Sequence, residues 1–303
     1  MIPVVINDFP SLKEFMTFSK DEVKNFTIKN KIETCYLPVD GTRRFYLVYS
    51  KLFNRWDEKD LKNYFNEVNN RFRDVFSLFF DYGIKNLILL LMDKSAFSRG
   101  SKYLNEVLES GIKPLYSDER YLSMYRKYNL DVIFGGFTSL FEKYYNYDIL
   151  NGLEMNFKGL SKESENKFLI YNGLSPSEDY LLVGEIINSL RKRNISVCKK
   201  SLIKEIYKTE LSSIDLSIWY GYPRDKIVPP LLWDDGTNFF IKNPTLTLQP
   251  VQLKKALYYT AVTKNSIKDS YHSYSFVPNE KEDLMDSFDN EDSLFGQDYY
   301  YVR

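Results

Sequence analysis

Histidine is almost missing from this chain: His272 is the only one in 303 residues, and it lies near the C-terminal end. The central part of the chain therefore has no imidazole for a Ser/His/Asp or Cys/His nucleophile set, which excludes hydrolases of that type. Cysteine is nearly as scarce. Cys35 and Cys198 stand in different segments without metal-ligand spacing, and they read as two reduced thiols. There is no excess charge of either sign, with 41 basic against 41 acidic residues. That balance argues against a whole-surface polyelectrolyte role such as nonspecific nucleic-acid binding. Long apolar runs are absent too. The longest, Leu87 to Met92, has six residues, against the roughly 20 that a membrane-spanning helix needs. The opening Met-Ile-Pro-Val-Val-Ile-Asn-Asp has no basic n-region and no long apolar stretch, so a cytoplasmic protein is expected.

What is present suits a globular protein with a substantial core, since 44% of residues are apolar and 27% charged. The aromatic content is high, at 25 Tyr, 22 Phe and 3 Trp. An AT-rich coding bias, which favours Lys, Asn, Tyr, Phe and Ile together, accounts for this; an aromatic-lined pocket is the alternative.

Strand and helix signals alternate from about residue 30. Ile32 to Val39 reads as a buried strand ending at the turn signal Asp40-Gly41. Leu61, Phe65, Val68, Phe72, Val75, Phe76 and Phe79 recur at spacings of three and four, one helical face, and Gly83 stops that helix. Ile84 to Met92 reads as a strand buried on both faces. Residues 101 to 110 read as a helix ending at Gly111, with a further helix from Ser117, and Leu130 to Phe134 as a strand. Lys167 to Tyr171 is another strand. The capping box Ser175-Pro176-Ser177-Glu178 follows and opens a helix through Val183, Ile186, Ile187 and Leu190. A helix over Leu202 to Tyr207, a strand over Ile214 to Trp219 and a helix from Pro250 complete the pattern. The fold class implied is α/β: one domain with a central, mainly parallel sheet covered by helices on both faces. Residues 1–29 are expected to be an N-terminal arm with one helix, residues 30–275 the α/β domain, and residues 276–303 an acidic, solvated tail.

Ligands of such sheets sit at the carboxyl ends of the strands. The first of those loops is Asp40-Gly41-Thr42-Arg43-Arg44. Gly41 lets the backbone approach a ligand, and turn amides form an anion-binding nest. Two guanidiniums supply forked donors for phosphate oxygens, and Asp40 beside them is a ligand for Mg²⁺.

This loop resembles the aspartate-glycine-asparagine-x-arginine-tryptophan signature with which cis-prenyltransferases bind an allylic diphosphate; Asp40, Gly41, Arg44 and Phe45 match. Gly83 to Ile88 is similar to the family's second strand, and Arg99 falls on an arginine that also touches the diphosphate. Leu130 to Phe134, Ile214 to Ile218 and Asn238 to Phe240 match later strands in the correct order, over roughly residues 30–262. The resemblance implies an allylic terpenyl diphosphate substrate bound by Gly41, Thr42, Arg43, Arg44 and Arg99. It also implies Mg²⁺ on a catalytic Asp40, and a homodimer through part of residues 200–262. Within the family the string looks most like the tuberculosinol synthase (tuberculosinyl adenosine transferase) branch, as do Ser98 to Tyr103 and Leu115 to Gly135. That likeness implies ionisation of a diterpenyl diphosphate, with capture of the cation by water or a nucleophile such as adenosine. It places a functional tyrosine, as base or as orienter of the nucleophile, at Tyr64.

The departures from the family pattern concern the second substrate. Elongating enzymes grip isopentenyl diphosphate with an arginine followed by a glycine-glutamate-x-arginine-x-serine run. Here the chain reads Trp219-Tyr220-Gly221-Tyr222-Pro223-Arg224-Asp225, and Thr237 stands near the place of a metal-binding glutamate. Chain elongation is therefore not expected. An irregular isoprenoid synthase or terpene cyclase, a chain-elongating transferase and a noncatalytic subunit are the alternatives.

Overall fold

Each apolar run that ends in a turn signal becomes a strand of one sheet. In the computed structural model, residues 9–52, 61–92, 99–136, 147–173, 176–221, 228–234, 236–269 and 293–296 are described. The strands are β1 (Thr34–Pro38), β2 (Asn86–Met92), β3 (Leu130–Gly136), β4 (Asn166–Asn172), β5 (Leu216–Tyr220) and β6 (Thr237–Ile241). They lie in the order β3-β4-β2-β1-β5-β6 and every neighbouring pair is parallel. The two strands expected to share a sheet are direct neighbours, with Cys35 opposite Leu216 and Tyr36 opposite Ser217. Both start two residues later than the apolar runs do. At their amino ends a side chain replaces the ladder: the Asp215 carboxylate accepts the Glu33 and Thr34 amides at 2.7 and 3.0 Å.

Parallel strands need both faces covered. One face carries the larger core, built on α4 (Leu61–Asp81) with Phe65, Val68, Phe72, Val75, Phe76 and Phe79 buried, as the spacing predicts. Around it pack α7 (Glu119–Lys127), α8 (Tyr147–Lys158) and α11 (Pro250–Asp269). The other face is covered by α9 (Pro176–Lys192) through Leu182 and by α10 (Lys199–Tyr207) through Ile203, Ile206 and Tyr207. Opening α3 (Thr42–Leu52) follows β1 directly.

Three expectations change. The helix over residues 101–110 does not stop at Gly111: α5 (Ser101–Glu106) widens into a π-helical turn over Val107–Ile112. Gly111 serves packing there, since a Cβ would stand 3.1 Å from the Phe65 ring. Next, Ser117 closes the short α6 (Pro114–Ser117), and Asp118 caps α7 by accepting from the Arg120 amide. Finally, the described part of the expected arm has two helices, α1 (Leu12–Thr17) and α2 (Lys20–Lys29), the second opened by a Ser19…Glu22 capping box. Both are packed: Phe15, Val23 and Phe26 are buried, and the Phe15 ring lies 4.4 Å from Phe26 and 5.5 Å from Tyr258 of α11.

Of the expected acidic tail, residues 293–296 are described, and they pair antiparallel with β6 as β7 (Ser293–Gly296). Ser98, Ser175, Tyr222 to Asp225 and His272 lie outside the described residues.

If α1 is part of the core, Phe15→Ala costs about 3–5 kcal/mol of unfolding free energy, the usual loss for a buried phenylalanine. Urea unfolding measures it; a loss below about 0.5 kcal/mol would mean that the segment is a detachable arm.

Candidate functional site

Asp40 follows the carboxyl end of β1, and a distant turn fixes its backbone. The Asp40 amide donates to Thr245 Oγ1 at 3.3 Å, the Thr245 amide donates to the Asp40 carbonyl at 3.2 Å, and Thr245 Oγ1 donates to the Pro38 carbonyl at 3.3 Å. Thr245 begins a 3₁₀ turn (Thr245–Thr247), which Arg71 holds by donating Nε to the Leu246 carbonyl at 2.8 Å. The chain then reverses at Gly41, with φ of +75° and its amide on Asp40 Oδ1 at 2.7 Å. The Gly41 carbonyl accepts from the Phe45 amide at 2.9 Å, which starts α3. A helix start leaves its first amides outside the helical ladder, so those of Thr42, Arg43 and Arg44 face the loop with the positive end of the helix dipole.

The side chains proposed from sequence come together here. Thr42 Oγ1 and the Tyr64 hydroxyl share a hydrogen bond of 2.5 Å, which joins the loop to α4. Arg43 and Arg44 are exposed at the loop. Arg44 donates Nη1 to the Tyr220 hydroxyl and lies 5.4 Å from that ring's centroid. Arg99, preceding α5, donates to the Tyr103 hydroxyl at 2.8 Å with its guanidinium 5.0 Å from the ring centroid. Tyr103 in turn packs near Phe65, which adjoins Tyr64.

Burial pushes the Tyr64 phenol up to about 12; the Thr42 hydrogen bond opposes this, nearby Tyr103 adds to it, and the positive charges of Arg43 and Arg99 oppose it. The fields of Arg43 and Arg99 thus reach one phenol from two loops. Such a phenol is protonated at neutral pH.

Tyr220, Tyr103 and Thr245 are site residues that sequence reasoning did not single out. Tyr220 ends β5, and a strand end beside β1 was a usable signal. Thr245 has none, since it reaches Asp40 across 205 residues.

The donors suit a hard cation shared with a ligand. Among the described residues no group of three or more His, Cys, Asp or Glu side chains comes together, so a closed protein cage such as structural zinc uses is not built there. One carboxylate beside two guanidiniums and a helix start fits Mg²⁺, which takes one or two carboxylates plus a ligand's phosphates. Thr237 does not join this site. It opens β6 level with Leu216 and Cys35, so it sits about 16 Å toward the amino end of the sheet, at the usual rise of about 3.3 Å per residue. Trp219 brings no cation either. Its ring is buried edge-on to Tyr36, and Nε1 donates to Ser217 Oγ at 2.5 Å and Asn238 Oδ1 at 2.9 Å.

The raised phenol pKa has a signed consequence. The folded chain holds the Tyr64 proton more tightly than the unfolded chain, whose phenol titrates near 10. The stability this gives is complete below pH 10 and is lost as pH rises through about 12. Between those values the wild type should lose more stability than Tyr64→Phe, as read by urea unfolding; parallel losses would show that Tyr64 is not held neutral.

No protein-family profile matches the chain, and no curated protein matches it in sequence. Solved structures do match. A lavandulyl diphosphate synthase from Lavandula x intermedia, solved in complex with dimethylallyl diphosphate, superposes with a TM-score of 0.55 at 15% identity, over 77% of this chain and 96% of that one. A probable undecaprenyl diphosphate synthase from Campylobacter jejuni gives 0.51 at 10% identity, over 76% and 94%. These neighbours are cis-prenyltransferases. The parallel sheet with helices on both faces is therefore the cis-prenyltransferase fold.

Proposed function

We propose that this chain ionises an allylic terpenyl diphosphate and passes the terpenyl cation to water or another small nucleophile, without adding isopentenyl units. The observation that carries the reading is the convergence of the α3 amino end, Asp40, Arg43 and Arg44 with Tyr64 and the Arg99 field at the carboxyl end of β1. That set is built for a polyanion. The dimethylallyl diphosphate held by the lavender enzyme supports an allylic diphosphate as the substrate class.

Arg43, Arg44 and Arg99 bind the diphosphate and stabilise the charge that grows on it as its C–O bond breaks. Donors already fixed in place before reaction accelerate such a step most, because they need no reorganisation as the charge develops. Mg²⁺ on Asp40 would neutralise the same charge. The Tyr64, Phe65 and Tyr103 rings lie beside the loop, and aromatic faces attract a nearby cation by roughly 0.5–2 kcal/mol each. Trp219 supports the absence of elongation, because a buried indole stands where a second diphosphate would need a cation. The tuberculosinol-like chemistry, the diterpenyl skeleton and a homodimer through part of residues 200–262 belong to the same proposal; light scattering tests the dimer. A synthase joining two allylic diphosphates is the second reading, favoured by the lavender neighbour.

Purified protein given geranylgeranyl and cyclised diterpenyl diphosphates with Mg²⁺ should release diphosphate. Asp40→Asn should slow release by about 10²–10³ with little change in melting temperature, since one electrostatic group of this kind is worth that much. Arg44→Ala should weaken substrate affinity as well. A folded Asp40→Asn protein that releases diphosphate at the wild-type rate would falsify the catalytic assignment. Labelled isopentenyl diphosphate should not enter the product; steady incorporation would return the chain to the elongating enzymes.

A further inference from the structure

Asn172 is the last residue of β4 and is fully buried, yet among the described residues its Oδ1 finds no hydrogen-bond donor. The amide is oriented by its other end, where Nδ2 reaches the Gly135 carbonyl at 3.4 Å. A buried polar atom left without a partner costs stability, and such atoms are rare enough in native folds to need an explanation.

Its position gives one. Along β4, Phe168 and Ile170 face the core that holds α4, while Leu169 and Tyr171 face the opposite core. Alternation puts Asn172 on the first face, the one on which Tyr64 lies. Across the sheet Asn172 pairs with Met92, and Leu90 pairs with Pro38. Two residues beyond that pair are Met92 and Asp40, with one irregularity in β2 between Leu90 and Met92. Asn172 therefore ends in the row of Asp40, two strands away, or about 10 Å at the usual spacing of about 4.8 Å. A molecule held by Asn172 would thus lie at the same end and on the same face of the sheet as the Asp40 loop.

We infer that Asn172 positions the nucleophile that captures the terpenyl cation, its Oδ1 accepting an O–H or N–H of the incoming molecule. The inference rests on the function proposed above. The allylic C–O bond breaks with its electron pair on the diphosphate, and a lone pair of the held water forms the new C–O bond. The proton then passes to the released diphosphate, a far stronger base than an amide oxygen. Asn172 holds the water and takes no proton, so it is a positioning residue.

The test turns over geranylgeranyl diphosphate in ¹⁸O-water and measures diphosphate release apart from the ratio of labelled alcohol to olefin. Asn172→Leu keeps the size and removes the acceptor. Release should stay within about threefold of wild type, while the alcohol-to-olefin ratio falls by about tenfold or more, the effect of one lost hydrogen bond. Asn172→Asp keeps an acceptor but gives up the Gly135 contact, so it should restore the ratio in part. Asn172→Leu also gives up the long Nδ2 contact with the Gly135 carbonyl, so its ligand-free melting temperature should fall only slightly. An unchanged ratio in a folded Asn172→Leu, or equal loss in Asn172→Asp, would overturn it while leaving ionisation standing. Failure of the wild type to release any diphosphate would remove the proposed function and this inference with it.

Discussion

Between the Tyr220 ring and Pro244 there is room for a hydrogen atom and not for a methyl group, and Gly41 occupies that gap. A Cβ there would stand 2.9 Å from a Tyr220 ring carbon and 3.0 Å from Pro244 Cβ, and the positive φ is strained for other residues in any case. The tight exit from β1 sets the direction of α3, and so where the amides of its first turn point. It also brings Tyr220 under the Arg44 guanidinium, so one close approach positions both the backbone and the side-chain donors of the loop. Thr245 closes the other side by bonding to both Pro38 and Asp40. The loop is held by β5 and by the turn after β6, two parts of the chain that have no chemistry of their own to contribute.

Charge follows the same plan. The chain as a whole is neutral, yet the loop end of the sheet gathers Arg43, Arg44 and Arg99 about Asp40. Two of the three guanidiniums lie against tyrosine rings, which fix their direction. Among the described residues other cations sit in ion pairs, as in Lys85–Glu33 and Lys199–Asp234.

Much of the architecture was legible because parallel strands buried on both faces leave continuous apolar runs, as Leu87 to Met92 does. The loop was legible because Asp40 to Arg44 is contiguous. What could not be read depends on contacts between distant residues. The trimming of β1 and β5 comes from Asp215 bonding to Glu33 and Thr34. The close approach of the Phe65 ring to Gly111 links α4 to the π-helical turn, and the pairing of Thr42 with Tyr64 joins two helices. Asn172 carries no signal at all in the sequence, since an asparagine after a strand reads as an ordinary turn residue. The amino-terminal helices are a different case: the Ser19…Glu22 capping box was there to be read.

The place of β1 in the sheet has a consequence for how the protein is made. β1 lies between β2 and β5, and the contact that ties Thr34 to Asp215 spans 181 residues. At a synthesis rate of about 5–20 residues per second, β1 waits about 10–40 s for the strand that completes it. During that time one edge of a nascent, apolar, parallel sheet stays open on the ribosome-bound chain, with β2 and β4 already able to join its other side. Such an edge is the kind that recruits stray strands. Productive folding then depends on what shields Thr34 to Pro38 during translation, and yields should respond to slower translation or to a holdase more than to point changes in the finished core.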